Sequence, residues 1–438
     1  MARRIVVVGG GFGGLHVVRG LRKEDAEITL ISRTNHTLFQ PLLYQVATGS
    51  LDEDEIATPI RRVLRRQRNV RFVMAEVDRI DPGTKTVHAG EETFPYDDLV
   101  LAPGVVYNYF GKDEQWRPFA PSLKTIADAE EIRRRALLSF EKAENERDHA
   151  RRSALLNYVL VGGGPTGVEM AGALAELLKE SLSRELTMVR PDEVAIILVE
   201  ASDRLLGQFP EDLAKASRAR LESLGVTIRC GAKVTQIDGE GVTISAILGD
   251  DKGKEEHVPT ENVVWTAGVK GVPLLGTLGV PLDRSGRLPV NAYLEIEGLP
   301  GHYVVGDAAS IAGPDGKPLP GVAQVAMQGG DYVAAAIRRS IAGREPEKPF
   351  HYWDKGNLAV VGRGFAIADL HRVHLRGFVA WFVWLFIHIL YLTSFRSRIF
   401  VFQRWVAGYL FHNRSAVVFD APTPLAAVTA PHADDLAK

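Results

Sequence analysis

The 438-residue chain has 46% hydrophobic and 24% charged residues and a formal net charge of −2, which excludes a disordered chain, a polytopic membrane protein and a nucleic-acid binder that works through overall basic charge. At roughly 100 to 200 residues per domain, it should hold about two to four units. A single cysteine, Cys230, excludes an internal disulfide, a CxxC redox pair and a cysteine-ligated metal site within the chain.

The N-terminus, MARRIVVVGGG, passes from two arginines into a short apolar run and then glycines, which leaves no room for an export signal. It reads as a first strand, and the chain is expected on the cytoplasmic side. Residues 5–8 lead into Gly9, Gly11 and Gly14, spaced GxGxxG between a strand and a helix. In this pattern the first glycine permits the turn, the second lets backbone approach a pyrophosphate and the third lets helix pack on strand, while the helix start offers amide donors to phosphate. The next strand, residues 28–31, ends at Ser32, where an acid would be the usual ribose partner. Arg61, Arg62, Arg65, Arg66 and Arg68 form a basic run that reads as a solvated helix face, without the interleaved aromatics of a nucleic-acid surface. LVLAPG, residues 99–104, is a strand-to-glycine turn, and the charge-rich residues 128–152 read as a solvated helix joining two halves.

Residues 158–161 then repeat the opening pattern, with Gly162, Gly164 and Gly167 in the same spacing within GGGPTG. The strand at residues 194–199 ends in Glu200, placed to accept from a ribose 2′-hydroxyl and to repel a 2′-phosphate, which favours NADH over NADPH. Glu169, two residues past Gly167, is expected in the first turn of the following helix, where the dipole favours a carboxylate. VVWTAG, residues 263–268, is a second strand-to-glycine turn, and residues 302–305 run into GDAA, where Asp307 can cap a helix. Gln324 and Gln328, four apart in a segment expected to be helical from about residue 322, share one helix face.

Residues 377–395, GFVAWFVWLFIHILYLTSF, are nineteen without a formal charge, long enough for a membrane span. The aromatics, however, run along the whole stretch instead of belting its ends, His388 sits centrally, and a second amphipathic stretch follows at residues 399–412. Between residues 370 and 419 the only formal charges are Arg372, Arg376, Arg396, Arg398, Arg404 and Arg414, which suits helices lying on an anionic leaflet. Residues 420–438 read as a disordered tail.

NHTLFQPLLYQVATG (residues 35–49), GGGPTGVEMAGALAEL (162–177), GVAQVAMQGG (321–330), GNLAVVGR (356–363) and the aromatic block together resemble the type II NADH dehydrogenases, the non-proton-pumping NADH:quinone oxidoreductases among the two-dinucleotide-binding-domain flavoproteins. The resemblance covers nearly the whole chain. It implies an α/β fold with two Rossmann-like dinucleotide-binding domains, an FAD domain with an inserted NADH domain, and a C-terminal amphipathic helical membrane-anchoring region. The implied boundaries are 1–125 and 286–350 for FAD, 126–152 for a linker helix, 153–285 for NADH and 351–419 for membrane association.

The resemblance also implies electron transfer from NADH through FAD to a membrane quinone, menaquinone or ubiquinone, by a homodimer on the cytoplasmic face of the inner membrane, with no metal and no nucleic acid. It places Gly9, Gly11, Gly14, Ser32, Arg33, Pro41, Ala102, Gly104, Gly306 and Asp307 at FAD, and Gly162, Gly164, Gly167, Glu200 and Gly268 at NADH. Glu169, Gln324 and Gln328 are the implied catalytic residues, with Gly329 where many members carry a further glutamine, and Arg363 is a weaker candidate near the quinone. The lone cysteine departs from the disulfide and sulfide:quinone reductases of this architecture. A soluble NADH:acceptor reductase using ferredoxin or oxygen and a redox-sensing flavoprotein stand as alternatives.

Overall fold

The structure is a computed structural model that describes residues 2–182, 186–314, 316–344 and 348–411, with side chains of the last helix described through Tyr409. The tail expected at 420–438, Arg414 and the last part of the expected anchoring region lie outside the described residues.

Strand β1 (Arg3–Val8) buries four consecutive apolar residues, the mark of a parallel strand covered on both faces. It is followed by α1 (Phe12–Gly20), β2 (Ala26–Ser32), the short α2 (Ile60–Leu64), β3 (Val70–Met74) and β4 (Asp98–Leu101). The charged segment that follows forms two helices, α3 (Ile126–Asn145) and α4 (His149–Leu156), where a single solvated helix was expected. Thr125 and Asp128 cap α3 reciprocally, and its inner face buries Ile132, Leu137 and Phe140. This segment is therefore a wall of the core.

A second parallel unit then follows: β5 (Asn157–Val161), α5 (Pro165–Ala175), β6 (Ala195–Glu200), β7 (Val226–Cys230) and β8 (Asn262–Trp265), in the order β7-β6-β5-β8. The chain next returns to the first sheet through β9 (His302–Val304), completing the parallel order β9-β4-β1-β2-β3. One Rossmann-like unit is thus inserted into another, and α6 (Ala323–Ile341) packs back on α1 beside β1.

Beyond it lies an antiparallel sheet of β10 (Asn357–Val360), β11 (Ala366–Asp369) and β12 (His374–Gly377). Gly377, at φ +75°, turns the chain directly into α7 (Phe378–Tyr391), and α8 (Phe395–Phe411) folds back over it. The charge-free stretch is broken at residues 392–394, so α7 has 14 residues and is about 21 Å long, short of a bilayer core. Among the described residues no helix is long and apolar enough to cross a membrane.

Ala380 and Trp384 of α7 and Val401 of α8 join the core of the second unit, and Trp384 lies 5.2 Å from Trp405 across the helix pair. The opposite faces carry Phe378, Phe382, Phe386 and Leu390 on α7, and Phe395, Ile399, Phe402 and Val406 on α8, all exposed at helical spacing.

Candidate active site

The two glycine turns are built alike. At Gly9 (φ +108°) an added Cβ would meet the Ala102 carbonyl oxygen at 2.1 Å, and at Gly14 it would meet the Gly9 oxygen at 1.9 Å. At Gly162 (φ +112°) it would meet the Ala267 nitrogen at 2.8 Å, and at Gly167 the Gly162 oxygen at 1.8 Å. Gly11 and Gly164, the caps of α1 and α5, have nothing within 4 Å of that position. The first and third glycines are closed by packing and the middle one faces open space beside the helix amides, so each cradle fits a dinucleotide pyrophosphate.

The strand ends beside the cradles differ. Glu200 accepts from the amides of Gly163 at 2.6 Å and Ser202 at 2.7 Å, which fixes its carboxylate at the end of β6. Ser32 ends β2 beside Gly10, and Arg33 is exposed with its guanidinium 3.7 Å from Glu76. Pro41 lies in a single tight turn, Gln40–Leu42. Ala102 donates to the Val8 carbonyl at 2.8 Å; beyond Gly104 and Gly268 the strands Val105–Tyr107 and Val269–Gly271 pair antiparallel, so the two strand-to-glycine turns are brought together. Gly306 and Asp307 form a short turn capped by Val305, so Asp307 is not a helix N-cap. Its carboxylate lies beside Gly321 and 4.0 Å from the Lys124 ammonium.

Helix α5 starts at Pro165, which makes Glu169 its fifth residue; the first turn contains no acid, and Glu169 lies beyond the reach of the N-terminal dipole. Burial instead pushes its carboxyl up to about 8, opposed by one hydrogen bond from the Val360 amide to Oε1 at 3.3 Å. Gln324 Nε2 donates to the Gly356 carbonyl at 3.2 Å, while its Oε1 is buried without a hydrogen-bond partner. An acceptor left this way costs about 1–3 kcal/mol. Gln328 is fully engaged: Nε2 donates to the Trp353 carbonyl at 3.0 Å, and the Trp353 amide returns a bond to Oε1 at 3.0 Å. Glu169, Gln324 and Gln328, from two different helices, thus all bond to the backbone of residues 353–360.

Sequence reasoning missed two neighbours, Lys124 and Glu176. Lys124 is largely buried and its ammonium pKa is lowered by desolvation against the pull of Asp307. The Thr125 capping box marks the turn that holds it, but Asp307 is too distant in sequence to be paired with it by inspection. Buried Glu176 accepts from the Arg363 amide, which turns the Arg363 backbone toward α5's continuation. His388 stacks on Trp384 at 4.2 Å and donates from Nδ1 to the Trp384 carbonyl at 2.7 Å, and burial lowers its pKa to about 4. Among the described residues no group of His, Cys, Asp and Glu could hold a metal ion.

Residues 3–330 match the family model described as pyridine nucleotide-disulphide oxidoreductase, and residues 354–414 match the NDH2 C-terminal domain. The chain is 42% identical over 423 residues to the type II NADH:quinone oxidoreductase Ndh of Mycobacterium tuberculosis, covering 94% of this chain and 89% of that one. It is 32% identical over 368 residues to the type II NADH:quinone oxidoreductase of Staphylococcus aureus, covering 82% and 88%. In fold it is similar to NDH2 from Plasmodium falciparum in complex with NADH, at TM-score 0.87, 20% identity and coverage of 96% and 100%. The sulfide:quinone oxidoreductase of Aquifex aeolicus shares the fold at TM-score 0.72, 19% identity and coverage of 94% and 96%.

Proposed function

The chain belongs to the pyridine nucleotide-disulphide oxidoreductase family and, within it, to the type II NADH:quinone oxidoreductases, and from that premise we propose which residues carry the reaction and where the protein works. The enzyme oxidises NADH with FAD as its bound carrier and reduces a quinone. Bound FAD supplies the two-electron exchange; the chain supplies orientation, dry contact and protons.

In this reading residues 1–125 and 286–350 hold FAD, with Gly11 at the pyrophosphate and Ser32, Arg33, Pro41, Ala102, Gly104, Gly306 and Asp307 around it. Residues 153–285 hold NADH, with Gly164 at the pyrophosphate, Gly268 at the turn and the fixed Glu200 carboxylate rejecting a 2′-phosphate.

The observation that carries the reading is the convergence of Glu169, Gln324 and Gln328 on residues 353–360, where the two nucleotide units meet the C-terminal sheet. Quinone reduction consumes two protons as well as two electrons. Glu169, with a carboxyl near 8, holds a proton at neutral pH on Oε2, the oxygen not taken by Val360. Gln324 and Gln328 hold the 353–356 backbone against α6.

The exposed apolar faces of α7 and α8, flanked by arginines, support a peripheral, monotopic seat on the cytoplasmic face of the inner membrane as part of a respiratory chain. A homodimer belongs to the same reading. The deciding experiment is steady-state NADH oxidation by the FAD-loaded protein on vesicles containing menaquinone or ubiquinone. Turnover with soluble dyes but none with either quinone would overturn the assignment of this site to a membrane quinone.

A further inference from the structure

A cavity of about 300 Å³ opens beside the C-terminal end of α1, lined by Arg19, Arg22, Arg62, Arg65, Arg66 and Gln67. Helices in a parallel unit run opposite to their strands, so this end of the sheet is remote from the glycine turns. Arg19 lies about 12 Å along α1 from Gly11, given a rise of about 1.5 Å per residue. The cavity is therefore separate from the cradle at Gly9, Gly11 and Gly14.

The basic run at residues 61–68 is more than a solvated face, since three of its arginines line this cavity with two from α1 and the turn after it. Among the described residues none of the five guanidiniums forms an ion pair. The C-terminal dipole of α1 supplies roughly half a negative charge, which offsets a fraction of one of them. A concave surface with this excess positive charge is a site for a polyanion, and guanidinium forks match phosphoryl oxygens two at a time.

Gln67 stiffens one wall of the cavity. Its Nε2 donates to the Val18 carbonyl at 2.8 Å and to Asn69 Oδ1 at 3.0 Å, which fixes the amide orientation. Asn69 in turn donates to the Leu21 and Glu24 carbonyls at 3.0 and 3.1 Å, so this side of the cavity is rigid. Gln67 is only 9% exposed, yet its Oε1 is buried with no hydrogen-bond partner.

We propose that this cavity binds a compact ligand with two or more phosphoryl groups, either free in solution or as the phosphorylated headgroup of a lipid. Its volume sits at the small end of small-molecule sites, which suits a phosphorylated polyol better than a dinucleotide.

Inositol trisphosphate is the soluble probe, because it lacks an adenine and has no claim on either nucleotide cradle. Calorimetric titration into the FAD-loaded protein at low salt is expected to show saturable binding, weakened at least about tenfold by the combined changes Arg19→Gln, Arg62→Gln, Arg65→Gln and Arg66→Gln. Arg22 is kept, since its guanidinium donates to the Arg66 carbonyl at 3.3 Å. Unfolding temperature and NADH turnover with a soluble acceptor should not change; if the fourfold variant fails to fold, the Arg65→Gln, Arg66→Gln pair takes its place. In the second arm, phosphatidylcholine vesicles doped with phosphatidylinositol bisphosphate are sedimented with each protein. Retention that depends on the arginines there, with no binding of the soluble probe, assigns the cavity to a lipid headgroup. Wild-type and variant proteins behaving alike in both arms would overturn the proposal.

Discussion

Trp405 Nε1 donates to Gln45 Oε1 at 2.7 Å, joining α8 to the helix Leu43–Ala47 of the first nucleotide unit. Beside it, Arg404 reaches both Asp52 and Glu55, so the last described helix is held to the first Rossmann-like unit by hydrogen bonds and ion pairs as well as by packing. Glu55 is buried, and burial raises its pKa against the pull of Arg404. Removing the guanidinium would leave that carboxylate uncompensated. Arg404→Ala is expected to destabilise the FAD-loaded protein by about 2 kcal/mol, and Arg404→Lys to recover only part, because one ammonium cannot replace a fork that meets two carboxylates. Thermal unfolding of the three proteins measures both effects.

The Glu169 carboxyl has an ordinary value of 4.5 and a folded value of about 8. The folded protein therefore keeps a proton that the unfolded chain loses, and folding stability falls as pH rises from about 4.5 to about 8, then levels off. Glu169→Gln should flatten that slope. In turnover, the same variant should abolish the alkaline limb of quinone reduction near pH 8 and lower kcat by about 10² to 10⁴-fold, the usual range for one acid–base group, while flavin reduction by NADH in a stopped-flow trace is retained. An unchanged alkaline limb would remove Glu169 from the proton path.

His388 shifts in the opposite sense: its ordinary value is 6.5 and burial against Trp384 lowers it to about 4. The unfolded chain takes up a proton first, so stability is present above about 6.5 and is lost as pH falls toward about 4. The difference in unfolding temperature between pH 7 and pH 5 should be smaller in His388→Phe than in the wild type, although Phe loses the bond to the Trp384 carbonyl.

The two cradles make a steric prediction that separates folding from binding. Gly14→Ala puts a Cβ 1.9 Å from the Gly9 oxygen and should fail to fold or lose several kcal/mol, whereas Gly11→Ala meets nothing and should fold. Its methyl group would instead occupy the space proposed for pyrophosphate. Purified Gly11→Ala is expected to keep its circular dichroism and to lose flavin absorbance. Gly164→Ala should keep the flavin and raise the KM for NADH.

On the outer faces of α7 and α8, Phe382 and Phe402 are both more than half exposed. Replacing both by Asp should reduce sedimentation with anionic vesicles at least about tenfold while leaving NADH oxidation by a soluble dye within about twofold of wild type. A parallel loss of both activities would mean that these residues support the fold.

The parts of the fold that were legible in the sequence are those decided within a few residues. Gly9, Gly11, Gly14 and their repeat at Gly162, Gly164 and Gly167 declare strand, turn and helix because backbone geometry there tolerates little else. The placement of Glu169 in a first turn failed on a boundary: Pro165 takes the first helical position and moves the helix start back. The break after Tyr391 had a readable sign, since Ser394 accepts from the Ser397 amide at 3.0 Å to start α8, although the uncharged run continues through it. The meeting of Glu169 with Val360 spans 191 residues, and no local pattern encodes it. Such a contact arises only when the inserted unit, the returning strand and the C-terminal sheet have all closed.

If the convergence on residues 353–360 is the proposed quinone site, it joins two diffusion spaces. With the proposed membrane seat, NADH would arrive through water in three dimensions and quinone through a leaflet in two, along the apolar faces of α7 and α8. The rate should therefore follow quinone's mole fraction in the lipid rather than its bulk concentration. Diluting vesicles with plain lipid at fixed total quinone should slow the enzyme, whereas diluting them with buffer should not, as long as the protein stays bound.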